Sequence, residues 1–220
     1  MRRLLHFLAV AFVASSCTTD SYEKGEGMYS QMRGDFVEAR VNANRQIVSF
    51  STDDGEQLEL SEPYTGEWIK IPDTLYRCVL YYNKVGNQKA ELLSIGEVFC
   101  PPITTLAEFK KELRVDPVKF ESMWLSKSGK YLNLYLQLKS GVTDDTTAIQ
   151  RLALISDTLI TNSDQTTIRH ITLHHDQNKV PEYYSTKTYL SILTDSIAAD
   201  SIYISINTYT GMMHKSLPVR

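Results

Sequence analysis

Four side chains of metal-binding type, His170, His174, His175 and Asp176, fall in one short run. On a helix, His170 and His174 would share a face and could chelate zinc. Their neighbours Thr166, Thr167, Ile168, Ile171 and Thr172 instead favour a strand. There, residues four apart share a face at about 13 Å, while adjacent ones point to opposite sides. No metal site is expected, and His170 and His174 would serve one only with ligands from another strand. Asp53-Asp54 and Asp144-Asp145 are paired carboxylates, the residue type of glycoside hydrolysis, which needs two such groups about 5–10 Å apart across a cleft. Each pair adjoins a turn signal, where Asp commonly bonds its own backbone. The chain has no Gly-x-Ser-x-Gly elbow, phosphate-cradling loop, His-Glu-x-x-His pair or calcium-binding loop. No catalytic residue and no cofactor are therefore expected. An envelope hydrolase is the enzymatic alternative.

The thiol with the clearest chemistry is Cys17. It follows Ala14, Ser15 and Ser16, with the positive pair Arg2-Arg3 and the apolar run Leu4 to Val13 upstream. That is the layout of a secretory signal, and the apolar run is too short for a span of roughly twenty residues. A cysteine directly after the small residues predicts diacylglycerol attachment and cleavage between residues 16 and 17. Several acyl chains hold a protein firmly at about 0.8 kcal/mol per buried methylene. The expected location is the outer membrane, in either leaflet. Residues 1–16 read as signal peptide and 17–27 as a polar, glycine-bearing lipidated tether.

With 23 Lys plus Arg against 26 Asp plus Glu, the formal charge is −3, and loss of Arg2 and Arg3 makes it −5. An exported acidic chain is a poor partner for nucleic acid, whose binding rests on neutralising phosphates. Export also permits a disulfide between Cys78 and Cys100. If Gly86-Asn87 is a two-residue turn, Cys78 faces Ile95 and Cys100 lies roughly 17 Å further along. A bridge would then need another register or a bulge.

These residues are carried by strands, because alternation of period two dominates. Leu132, Leu134, Leu136 and Leu138 alternate with Tyr131, Asn133, Tyr135 and Gln137, and Ile202, Ile204 and Ile206 alternate with Tyr203, Ser205 and Asn207. Leu58 to Leu60, Leu75 to Tyr82, Ala90 to Val98 and Ile168 to His175 add further β-rich runs. One stretch has helical spacing: Thr105 to Leu113 puts Leu106, Phe109 and Leu113 on one face, with Thr105 and Glu108 placed as a capping box. It follows Pro101-Pro102, which cannot extend a strand. The expected fold is all-β: an OB-like small barrel over residues 28–103, a junction with one short helix over 104–113, and an immunoglobulin-like antiparallel β-sandwich over 114–220.

Within that frame the aromatics are the binding candidates. Tyr131, Asn133 and Tyr135 lie opposite the leucine row, and Tyr203 and Tyr209 opposite the isoleucine row. If those strands are neighbours they make a tyrosine-rich surface of the kind enriched at interfaces. Trp68, Tyr76 and Tyr82 fit the barrel core better than an exposed platform, and Trp124 fits the sandwich core.

The segments Gly27 to Ala39 (GMYSQMRGDFVEA), Leu75 to Tyr82 (LYRCVLYY), Trp124 to Leu136 and Leu173 to Asn178 (LHHDQN) together resemble the NigD-like lipoproteins of Gram-negative gut and oral anaerobes. The resemblance spans nearly the whole chain after Cys17 and implies an N-terminal OB-like domain followed by a C-terminal β-sandwich. A protective role against a bacteriocin, suggested by the family's name, is one functional expectation. The other is a lipid-anchored accessory module for an envelope protein or glycan. The resemblance transfers no functional residues.

Overall fold

The structure, a computed structural model, describes residues 31–219, so Cys17, the signal and the tether lie outside the described residues. Five strands form the first unit: β1 (Arg33–Val41), β2 (Ile47–Thr52), β3 (Gln57–Tyr64), β4 (Leu75–Lys84) and β5 (Lys89–Glu97). They close into a barrel in the order β1-β2-β3-β5-β4. All neighbours are antiparallel except β3 and β5, which pair in parallel at Glu59–Lys89 and Leu60–Ala90. Val37, Ala39, Val41, Ile47, Phe50, Leu58, Leu60, Cys78, Leu80, Tyr82 and Ala90 fill the interior. Tyr82 lies within this core and donates its hydroxyl to Asp35 Oδ2 at 2.8 Å. Trp68 and Tyr76 pack against the core edge-on to each other, with ring centroids 5.5 Å apart.

The second unit is a sandwich of two sheets. One has the order β13-β12-β10-β9-β6 and the other β11-β8-β7, built from β6 (Ile103–Thr105), β7 (Lys119–Leu125), β8 (Tyr131–Ser140), β9 (Arg151–Thr161), β10 (Thr167–Asp176), β11 (Tyr184–Leu193), β12 (Ser201–Thr208) and β13 (Gly211–Pro218). The four leucines of β8 meet the three isoleucines of β12 across the core, with Leu154, Ile171, Leu173, Leu190 and Ile192 between and around them. The sandwich departs from the antiparallel expectation in two places, since β10 runs parallel to β12 and β6 parallel to β9. The chain leaves β10, crosses to the other sheet as β11, and returns as β12. The helix α1 (Thr194–Ile197) lies on that return, and Ala198 ends it in the left-handed region at φ 50°.

The helix expected over Thr105 to Leu113 is not formed. The capping box itself is present: Glu108 Oε2 accepts from the Thr105 amide (3.1 Å) and hydroxyl (2.7 Å), and the Glu108 amide donates to Thr105 Oγ1. It closes one turn only. Beyond it the Arg114 amide donates to His174 Nδ1, the His175 amide to the Arg114 carbonyl, and the Asp116 amide to the His175 carbonyl. These bonds hold Arg114 and Asp116 extended directly beyond the segment, and a nine-residue helix is too short to persist on its own propensity.

Cys78 and Cys100 are free thiols. Three residues rather than two close the β4–β5 hairpin, with the Val85 amide donating to the Lys89 carbonyl, and a bulge falls at Tyr81/Tyr82. Cys78 therefore faces Glu97 rather than Ile95. Burial pushes the thiol of the enclosed Cys78 up to about 12; Cys100 is exposed at the surface, yet desolvation by its neighbours pushes its thiol up to about 11, so the thiol form prevails in both at neutral pH.

Candidate ligand-binding face and the domain junction

The two units are joined through the outer face of β1 and β4, which packs on the outer face of the three-stranded sheet. At its centre Arg77, with only 3% of its side chain exposed, forks onto Asp53, Nη1 to Oδ1 at 2.6 Å and Nη2 to Oδ2 at 2.7 Å. Nη2 also donates to Asn133 Oδ1 (3.2 Å) and Nε to Ser191 Oγ (3.4 Å), while the Ser191 hydroxyl donates to the same Asn133 oxygen at 2.6 Å. The guanidinium lies 4.0 Å from the centre of the Tyr131 ring. Beside it Phe36 sits edge-on to both Trp124 and Tyr189, at 5.4 and 5.2 Å. Glu38 accepts from the Tyr131 hydroxyl (2.7 Å) and from Lys130 (2.5 Å). The linker adds backbone bonds, from the Phe99 amide to the Tyr189 carbonyl and from the Ser191 amide to the Phe99 carbonyl.

Several residues singled out from sequence fall in this junction. Tyr131 and Asn133 are buried against the barrel, so their face of β8 meets the chain's own first domain instead of solvent. Tyr135 is half-buried, with its ring 5.1 Å from that of Tyr189. Tyr203 lies in the other sheet, so the tyrosines do not form one surface. It stacks between His170 (4.5 Å) and His214 (5.2 Å). Tyr209 is exposed at the β12–β13 turn. His174 is buried under Phe109, its Nδ1 occupied by the Arg114 amide; burial lowers its pKa, with the Asp176 charge opposing. No group of three or more His, Cys, Asp or Glu side chains suited to a metal occurs among the described residues. The paired carboxylates divide their roles: Asp53 holds Arg77, Asp54 pairs with Lys127 at 2.9 Å, and Asp145 caps the Thr147 amide at 2.9 Å.

A concave polar site lies next to the junction. Cross-strand register aligns two rows on the outer face of the barrel, Glu38–Ser51–Gln57 and Arg40–Ser49–Glu59, across β1, β2 and β3. Because strand side chains alternate, Ser49 and Ser51 point out while Phe50 between them points into the core. The short serines make a floor along β2, and the long side chains on either side make walls. The result is a 310 Å³ trough, reached at one end by Leu75 and at the other by Gln88, whose carbonyl accepts from the Glu59 amide at 2.8 Å. The side chains of Arg40, Ser49, Ser51, Gln57 and Glu59 make no hydrogen bond or ion pair with any other described residue. Glu38 is spent on the junction. Burial alone would raise its pKa, but the hydrogen bonds from Lys130 and Tyr131 and the charges of Lys130 and Arg77 prevail and hold it below the ordinary carboxylate value. Sequence reasoning did not find this trough. Its signal is the serine-Phe-serine alternation in β2, which becomes a floor only once the neighbouring strands are known.

Glu38 predicts a pH response. A carboxyl whose folded pKa is depressed binds fewer protons folded than unfolded, so its contribution is complete above the unfolded value of about 4.3 and is lost as pH falls through the folded value. Glu38→Gln should therefore flatten the fall of thermal midpoint below about pH 4.5 relative to wild type. Parallel pH curves for the two proteins would remove Glu38 from the acid response.

A closed five-stranded barrel locked through a buried arginine to an eight-stranded sandwich defines a class of two-domain all-β proteins. The profile of the NigD-like C-terminal β-sandwich domain matches residues 101–217, and the chain belongs to the NigD-like family. The same architecture occurs in a NigD-like immunity protein from Bacteroides caccae (22% identity, 83% of this chain and 91% of that one, TM-score 0.63). It recurs in a candidate toxin-related protein from Parabacteroides distasonis (16%, 84% and 92%, 0.60) and in a candidate lipoprotein from Bacteroides fragilis (14%, 85% and 96%, 0.58). No curated protein matches the chain significantly. Among the described residues, no helix is long and apolar enough to cross a membrane.

Proposed function

We propose that this protein is a lipid-anchored, non-enzymatic accessory module of the cell envelope whose barrel face binds a partner, protein or glycan. The observation that carries the reading is the trough along β2, where donors and acceptors converge without satisfying one another, while Arg77, Asp53 and Glu38 of the adjacent junction are each bound to a partner there. A set of unspent polar groups in a concavity on a rigid scaffold is how binding sites are built. The trough's carboxylate Glu38 is already engaged by Lys130 and Tyr131, which favours a fixed binding wall over a group that shuttles protons. Anchoring rests on Ala14-Ser15-Ser16-Cys17, and the description of the B. fragilis relative agrees with it. Outer-membrane residence follows from the same reading.

The test combines protease shaving of intact cells with crosslinking and recovery of the lipidated protein. Ser51→Trp fills the trough from a solvent-facing strand position that tolerates an aromatic. It should abolish recovery of the crosslinked partner while leaving the thermal midpoint within about 2 °C of wild type, as for a surface change within about ±0.5 kcal/mol. Undiminished recovery would exclude the trough. A second reading, protection against a bacteriocin, is favoured by the description of the B. caccae relative as an immunity protein. It predicts that deletion sensitises cells to a toxin from a related strain.

A further inference from the structure

We infer that the trough along β2 takes a neutral, hydroxyl-rich chain, a glycan. The inference rests on the binding reading above and names its ligand class. Glu38 and Glu59 bracket Arg40 along the walls, so the site has no positive surplus with which to hold a polyanion, and nucleic acid, polyphosphate and sulfated polymers are disfavoured. A peptide that binds by strand addition needs a free strand edge. β2 has none, because β1 and β3 occupy both its edges. Whatever enters the trough must be held through side chains on a sheet face.

Those side chains are a carboxylate (Glu59), a guanidinium (Arg40), an amide (Gln57) and two hydroxyls (Ser49, Ser51). The carboxylate only accepts, the guanidinium only donates, and the amide and hydroxyls do both. A sugar hydroxyl likewise donates and accepts, and vicinal pairs of hydroxyls match the two-pronged carboxylate, amide and guanidinium. The floor carries no apolar platform for a flat hydrophobic ligand. The exposed Leu75 at the trough's end supplies one ledge, suited to the C–H face of a ring. The volume of 310 Å³ is at the small end of the range for ligand sites, about 300–1,000 Å³, so only a short stretch of the chain is gripped.

The full mature protein in detergent is applied to an array of neutral oligosaccharides (malto-, cello-, xylo-, manno- and chito-series), with heparin as the anionic control. Hits are titrated by calorimetry. At least one neutral series should bind, with affinity changing by less than about twofold between about 0.05 and 0.3 M salt. Gln57→Ala and Glu59→Ala should each weaken it about tenfold, the equivalent of one lost hydrogen bond of about 1.4 kcal/mol, while Tyr209→Ala leaves it unchanged. A glycoprotein carrying the same sugars, with and without enzymatic deglycosylation, separates a protein-borne glycan from a free polysaccharide. Binding of heparin alone, of no array member, or with equal affinity in the Gln57 and Glu59 variants overturns the inference. If Ser51→Trp still abolishes partner recovery while no neutral glycan binds, the glycan assignment falls and the binding reading stands, with a protein surface as the partner.

Discussion

Arg77→Ala is expected to cost about 3–5 kcal/mol, the range for removing one member of a buried ion pair. The loss is large because Arg77 serves both domains at once: it forks onto Asp53 of the barrel while donating to Asn133 and Ser191 of the sandwich and lying over the Tyr131 ring. Alanine leaves Asp53 without its donor, leaves Asn133 Oδ1 with the Ser191 hydroxyl alone, and opens the space the guanidinium filled. Lysine is not a substitute, since a single ammonium cannot reproduce a planar fork with donors on two sides, and Arg77→Lys should recover less than half of the loss. Trp68 lies in the barrel, and Trp124 lies on sandwich strand β7 with its ring against Phe36 of the barrel, so in variants retaining one tryptophan Trp68 reports the barrel and Trp124 the sandwich together with its junction face. In urea the two reporters should fall together in the wild-type background and separately with Arg77→Ala. Coincident transitions in the variant would mean that Phe36 and the Phe99 linker, not the arginine, hold the domains together.

The rows that face inward were legible from the chain alone. Leu132 to Leu138 on β8 and Ile202 to Ile206 on β12 announce their strands by strict alternation, and both line the core as read. The opposite rows were not, because alternation says that a residue faces away from one core without saying what it faces instead. Tyr131 and Asn133 look like an exposed binding face, but the barrel covers them. Arg77 carries no local mark of burial, since a single charged residue between Tyr76 and Cys78 has the pattern of any solvent-facing position. Thr105 to Leu113 failed for a different reason. Its capping box forms as spacing demands, but the chain directly after it, Arg114 and Asp116, is held extended against His174 and His175 of β10, partners about sixty residues distant in sequence that no local pattern reveals. The Cys78 register erred by a three-residue hairpin and a bulge, both matters of turn and twist rather than hydrophobic pattern.

The trough shows the same division. Ser49 and Ser51 are unremarkable in a strand, and Glu38, Arg40, Gln57 and Glu59 are ordinary outward residues on two others. Only the pairing of Ser51 with both Glu38 and Gln57, and of Ser49 with both Arg40 and Glu59, makes short residues a floor between long walls. Site and junction share Glu38, which lines the trough and binds Lys130 and Tyr131. The wall nearest the sandwich is thus positioned by the contact that locks the domains. A loosened junction should weaken ligand binding even though Arg77 is itself no part of the walls.

Ile204→Ala should destabilise the sandwich by about 2–5 kcal/mol, the usual cost of truncating a fully buried isoleucine and leaving a cavity behind. Ile204 has no exposed surface and sits on β12 between Ile171 and Lys215, in the five-stranded sheet across the core from the three-stranded sheet that packs on the barrel. Any effect on the barrel must therefore travel through the junction. A barrel spanning only Arg33–Glu97 is marginal alone, because a domain of about 60 residues buries only about 60% of its chain surface. Its stability therefore depends on the face the sandwich covers. In the wild-type background Ile204→Ala should lower the Trp68 and Trp124 midpoints together. In an Arg77→Ala background it should lower Trp124 alone, since the barrel has already lost most of what the sandwich gave it. If Trp68 does not move in the first case, the barrel is self-sufficient, and the buried fork of Arg77 orients the two domains without stabilising them.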